Sequence, residues 1–103
     1  MIGTEIAFRL APGSGDHARA IADRLFRLAP ESVAHVLFID DDAGEYGCLA
    51  VWRTANAAGA YIAHHDVVVE VAALGELMGK PTRVRTYAME YQRGVPSDGV
   101  ASA

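Results

Sequence analysis

Two hydrophobic periods alternate along the chain. Between residues 3 and 10, Ile6, Phe8 and Leu10 alternate with Glu5, Ala7 and Arg9, the two-residue repeat of a strand with one face on a core. Ala11-Pro12-Gly13-Ser14-Gly15 breaks that period, and Ser14 or Asp16 supplies a cap for a helix. Inside it Ala18, Ile21, Ala22, Leu25, Leu28 and Ala29 recur at helical spacing as one apolar stripe. Asp23 and Arg27 lie four apart and can pair weakly on the wet side. Pro30 ends the helix. Val33 to Ile39 and Tyr46 to Arg53 then predict two strands joined in a hairpin by Asp40-Asp41-Asp42-Ala43-Gly44.

Thr54 caps a second helix carrying Ala57, Ala58, Tyr61 and Ile62. Val67-Val68-Val69-Glu70-Val71 is β-branched and would suit a strand. Asp66 before it is a capping residue, however, and Val67, Val71, Leu74 and Met78 continue a helical stripe up to the stop signals Gly79 and Pro81. The pattern therefore predicts a further helical segment, followed by a last strand from Thr82 to Tyr91. The order is β-α-β-β-α-β: one α+β domain over residues 1–92, with an antiparallel sheet and helices on one face. The Gly-, Ser- and Ala-containing residues 93–103 are expected to be a flexible tail. At 103 residues there is no second domain to find.

The two hairpin strands are apolar at both parities. Val33, Leu37 and Ile39 oppose Ala34, Val36 and Phe38; Tyr46, Cys48, Ala50 and Trp52 oppose Leu49 and Val51. A sheet with one wet face would alternate cleanly. Helices cover one face, and a second copy of the chain is the simplest cover for the other, which predicts a homodimer through sheet-to-sheet packing.

Composition narrows the function. The net charge is −4, and nine Lys and Arg residues are scattered rather than clustered, which argues against a nucleic-acid partner. No apolar run is long enough to cross a bilayer, so no membrane partner is expected. The N-terminus lacks the basic start and apolar core of a signal peptide, and Cys48 is the only cysteine. The expected location is cytoplasmic.

The element order and the run Val51-Trp52-Arg53-Thr54-Ala55-Asn56-Ala57-Ala58-Gly59-Ala60-Tyr61-Ile62-Ala63, a strand-end aromatic followed by an Ala-rich helix, resemble the antibiotic biosynthesis monooxygenase (ABM) family. Pro81-Thr82-Arg83-Val84-Arg85-Thr86-Tyr87 resembles that family's last strand. The resemblance covers residues 3–92 and implies a ferredoxin-like fold that dimerises into an α/β barrel. It implies a monooxygenase, often without metal or flavin, acting on a small aromatic, anthrone or quinol-like substrate held between sheet and helices. An electron-rich anion can itself reduce oxygen, so no cofactor is expected. A haem-degrading branch of similar fold uses an Asn, a Trp and a His. Counted from Trp52, its Trp and His positions fall on Tyr61 and near Val71, and the first strand has no Asn, so its triad is absent.

Each candidate residue has two readings. Trp52 is a core anchor or a pocket wall that stacks on an aromatic. Tyr61 fills core with its ring while its hydroxyl hydrogen-bonds, with the cavity slightly favoured. His64 and His65 form the one histidine cluster; either could be a general base near neutrality, or both could be a solvated helix end. Neighbouring positions diverge too far to share a metal in an intact helix, and no metal is expected. Arg83, Arg85 and Tyr87 share one face of the last strand, either to hold an anion or to form ion pairs between subunits. His35 reads as a sheet histidine, Cys48 as a small core residue and Asp40–Asp42 as a solvated turn without calcium-loop spacing. The same fold could also serve as a non-catalytic dimeric binding or scaffold protein, or as an isomerase or cyclase.

Overall fold

Seven elements follow one another in the computed structural model, which describes residues 1–90. They are β1 (Ile2–Arg9), α1 (Gly15–Arg27), β2 (Ala34–Asp40), β3 (Glu45–Trp52), α2 (Ala55–Ala63), α3 (His65–Met78) and β4 (Arg83–Ala88). The expected tail, and the end of the expected last strand at Tyr91, lie outside the described residues. The strands form one sheet in the order β2-β3-β1-β4, and every neighbouring pair is antiparallel. This is the ferredoxin-like arrangement. The valine run is helical, because Val67 and Leu74 are buried along one side of α3 while its ends carry strong helix signals.

Those signals act as the sequence implies, with two exceptions. Thr54 Oγ1 accepts the Ala57 N–H at 3.1 Å and starts α2. Gly79 ends α3 with φ of 72°, a left-handed conformation that costs glycine little. Asp66, however, lies in the first turn of α3, and the cap is His64, whose Nδ1 accepts the Asp66 N–H at 3.1 Å. Ser14 occupies the N-cap position of α1 without a side-chain cap bond; its N–H donates to the Tyr46 hydroxyl at 3.0 Å. Asp23 and Arg27 do not pair. The neighbouring Arg24 reaches Glu70 on α3 at 3.1 Å.

Register decides which side chains share a face. Ile2 stands opposite both Trp52 and Ala88, and Ala7 opposite both Gly47 and Arg83. Alternation then places Thr4, Ile6, Phe8, Tyr46, Cys48, Ala50, Trp52, Val84 and Thr86 on the helix side. There Ile6, Phe8, Tyr46, Cys48, Ala50 and Trp52 close a core with Ala18, Ile21, Ala22 and Leu25 of α1, Ala58 and Tyr61 of α2, and Val67 and Leu74 of α3, beside the buried Thr4, while Thr86 stays exposed. Gly3, Glu5, Ala7, Val36, Phe38, Leu49, Val51, Arg83, Arg85 and Tyr87 lie on the other side, which no helix among the described residues covers.

Candidate functional site

The chain reverses at one end of the sheet, where β1 begins and β3 ends. There α1 gives way to Leu28, Pro30 and Glu31, and α2 starts directly after Trp52. Between these segments lies an open cleft of about 350 Å³, lined by Arg27, Leu28, Pro30, Glu31, Trp52, Ala57, Ala60, Tyr61 and His64. That volume lies at the small end of the range for ligand sites. Its floor is rigid. The Trp52 and Tyr61 rings meet at 5.0 Å between centroids, tilted by 39°, a favourable aromatic contact. Trp52 Nε1–H donates to the buried Thr4 hydroxyl at 3.0 Å, and the Tyr61 hydroxyl donates to the Leu25 carbonyl at 3.3 Å. Burial pushes the Tyr61 hydroxyl up to about 12, with a smaller contribution from Cys48. It is a neutral hydrogen-bonding group across the physiological range, not a base.

His64 lines this cleft, and its cap bond fixes its chemistry. Because Nδ1 accepts from Asp66, the neutral ring carries its proton on Nε2. In this arrangement His64 offers a hydrogen-bond donor, suited to an anion, rather than a free lone pair. His65, one position on, is exposed and lines neither this cleft nor the larger pocket at the opposite end of the sheet. The cleft's other polar groups are the Arg27 guanidinium and the Glu31 carboxylate.

The arginines of the last strand do not reach this place. Arg83, Arg85 and Tyr87 share a face, as expected, but it is the open face, with the sheet between them and Trp52. There the Tyr87 hydroxyl donates to Glu5 Oε1 at 2.8 Å, and Arg85 lies over the Tyr87 ring at 5.2 Å. The hydrogen bond to Glu5, with burial adding to it, raises the Tyr87 hydroxyl above its ordinary range. Expecting either arginine to hold an anion beside Trp52 and Tyr61 is therefore a correction: the register turns both away. Arg27 is the cation that stands there. Among the described residues no three His, Cys, Asp or Glu side chains converge on a metal position, and no helix is long and apolar enough to cross a membrane.

Solved structures share this arrangement. Rv0793 from Mycobacterium tuberculosis superposes with a TM-score of 0.68 at 20% identity, over 90% of this chain and 98% of its own. A structure of an antibiotic biosynthesis monooxygenase gives 0.64 at 18% identity, over 88% and 100%. SnoaB, a cofactor-independent oxygenase from Streptomyces nogalater, gives 0.63 at 19% identity, over 93% and 97%. The chain has the fold of the antibiotic biosynthesis monooxygenases. No protein-family model matches the sequence, and no curated protein matches it.

Of the residues lining this cleft, sequence reasoning named Trp52, Tyr61 and His64 and did not name Arg27 or Glu31. A signal for both was present. In a β-α-β-β-α-β order the end of the first helix returns to the edge of the sheet from which the second helix departs, so residues 27–31 and 52–64 belong at one end. Helical periodicity alone assigns Arg27 to solvent.

Proposed function

We propose that the protein is an oxygenase of the antibiotic biosynthesis monooxygenase type. It acts without a bound cofactor on a small electron-rich aromatic such as an anthrone or quinol. The observation that carries this reading is the cleft, in which an aromatic floor of Trp52 and Tyr61 is rimmed by Arg27, the His64 Nε2–H donor and the Glu31 carboxylate. An apolar ring fits against the floor, Glu31 accepts the proton that leaves, and Arg27 with His64 stabilises the resulting anion. An anthrone methylene then reacts with O₂ to give a ketone and water, so substrate and oxygen balance without an added reductant. The likeness to SnoaB supports the same reading. We further propose that the open sheet face pairs with a second copy. The lone buried thiol accords with a cytoplasmic location.

One observation favours a different reading. Trp52 and Tyr61 are only 2% and 4% exposed, and both have their polar atoms satisfied within the core, as a non-catalytic binding or scaffold protein of the same fold would require. Oxygen uptake decides between them. With anthrones and quinols as substrates, the oxygenase reading expects substrate-dependent uptake that falls about ten-fold or more in Arg27→Gln. His64→Asn, which keeps a good cap, is expected to lower it as well, and His65→Ala to leave it unchanged. Binding without uptake would leave the non-catalytic reading, and substrate conversion without uptake an isomerase or cyclase.

A further inference from the structure

The histidine of β2 makes contacts that membership of a strand does not require. α1 ends at Arg27, and Ala29-Pro30-Glu31-Ser32 then form a turn closed by the Ser32 N–H, which donates to the Ala29 carbonyl at 3.2 Å. Pro30 takes the second position, where its fixed φ suits a turn. Pro30 and Glu31 are the tip, and both line the cleft. Just beyond, the Val33 N–H donates to the Val51 carbonyl at 2.7 Å, which ties the turn to the residue before Trp52.

Two side chains reinforce this turn. Ser32 Oγ–H donates to the same Ala29 carbonyl at 2.8 Å. His35 Nε2 lies within hydrogen-bond reach of Ser32 Oγ and 3.3 Å from the Ala29 carbonyl. A carbonyl only accepts, and the single serine proton is already directed to it, so the ring carries a proton on Nε2 and the histidine is the donor. Phe26, the last residue but one of α1, holds the ring in place by stacking on it, with 4.3 Å between centroids and 4° between planes. Ala29 is buried in the core, so the three donors converge on a fixed point. His35 stands opposite Ala50, on the helix side of the sheet and away from the face assigned to a second copy.

We propose that Ser32 and His35 are positioning residues for Glu31. They hold the turn closed on Ala29, and so hold the Glu31 carboxylate beside a ring seated on Trp52 and Tyr61. Neither residue lines the cleft; each acts through the turn. A reacting group misplaced by about 1 Å can cost about 100-fold in rate, so a clamp on the turn matters to a base at its tip. The inference rests on the oxygenase reading, which gives Glu31 the departing proton.

Two readouts on the full chain test it. Hydrogen exchange at the Ser32 amide is expected to quicken about five-fold in Ser32→Ala and in His35→Phe, which keeps a ring against Phe26 but lacks the donor. Ser32→Thr, which keeps the hydroxyl, is expected to exchange as the wild type does. Oxygen uptake with an anthrone or quinol is expected to give a kcat about ten-fold lower in His35→Phe at little change in KM, with Ser32→Thr again like the wild type. In a Glu31→Gln background, His35→Phe is expected to cost nothing further. An undiminished loss in that background would overturn the proposal, since the histidine would then act on more than Glu31. Unchanged Ser32 exchange in both Ser32→Ala and His35→Phe would overturn it too, whatever the activity. If the wild-type chain took up no oxygen with any of these substrates, the oxygenase reading would fall and the positioning role with it, while exchange at Ser32 would still show whether the two side chains hold the turn.

Discussion

Two core groups, the Cys48 thiol and the Tyr61 hydroxyl, are protonated because burial disfavours their anions, and each is pushed up to about 12. The unfolded chain releases these protons at ordinary values near 9 and 10, while the folded chain retains them to about 12. Between those limits the unfolded state binds fewer protons, so stability falls as pH rises. The contribution is fully present below pH 9 and declines through the window from 9 to about 12. Denaturant unfolding from pH 7 to 11 should show level stability up to about pH 8.5 and a progressive loss beyond it, of at most about 1.4 kcal/mol per pH unit for each group and roughly twice that where both contribute. Cys48→Ala should delay the onset by about one unit, to where Tyr61 begins to titrate. A curve that stays level to pH 11 would contradict the burial of both groups. The same shifts bear on the proposed function, because neither residue supplies an anion at neutral pH, and the proposal places the chemistry of the cleft on Arg27, Glu31 and His64.

At the scale of elements, boundaries rest on a few positions, and glycines show how unequal these are. Gly44 and Gly79 both have positive φ, 67° and 72°. Around Gly79 a Cβ would meet nothing within 4 Å, whereas at Gly44 it would collide with the backbone carbonyl of Leu10. Gly79→Ala should therefore cost only the left-handed conformation, about 1 kcal/mol. Gly44→Ala should also displace the β1–α1 turn, whose Leu10 N–H donates to the Gly44 carbonyl at 2.9 Å, and should cost several-fold more. Equal losses of unfolding free energy would show that this turn yields freely. Most elements were legible because local signals agreed: the Thr54 cap, the Gly79 stop and the stripe from Ala18 to Leu25 each carry their own chemistry. The substitution of His64 for Asp66 as the cap of α3 was not legible, because both residue types can accept at a helix start. The choice depends on where α2 ends, a tertiary matter. The Asp23–Arg27 pair does not form, and the bridge that does form on α1, from Arg24 to Glu70 of α3, was not legible because periodicity within one helix says nothing of the other.

Across the whole molecule, register separates the two faces, and a single sequence does not contain it. That Arg83, Arg85 and Tyr87 lie together follows from alternation within one strand. That they lie across the sheet from Trp52 follows only from pairing Ile2 with both Trp52 and Ala88, and a slip of one residue would reverse it. The fold was thus more legible than the site, whose members come from different strands and helices. The apolar residues at both parities of the hairpin strands acquire their meaning at this scale too. One set lies on the helix side, where Tyr46, Cys48, Ala50 and Trp52 are core but Val33 and Ile39 stay exposed. The other leaves Val36 40% exposed beside Leu49, its partner across the sheet, on a face that no helix among the described residues covers. Glu5, Arg83, Arg85 and Tyr87 occupy the other half of that face, so a two-fold related copy could meet it with apolar and charged halves in complementary places. Sedimentation at micromolar concentration should give a species of twice the 11.0 kDa chain mass. Val36→Glu would bury an unpaired charge in that contact and should weaken association on the order of 100-fold. Leu77→Glu, on the outer side of α3 where Leu77 is 57% exposed, should leave it unchanged. If Leu77→Glu separated the subunits and Val36→Glu did not, the contact would lie on the helices, and the open sheet face would need another partner.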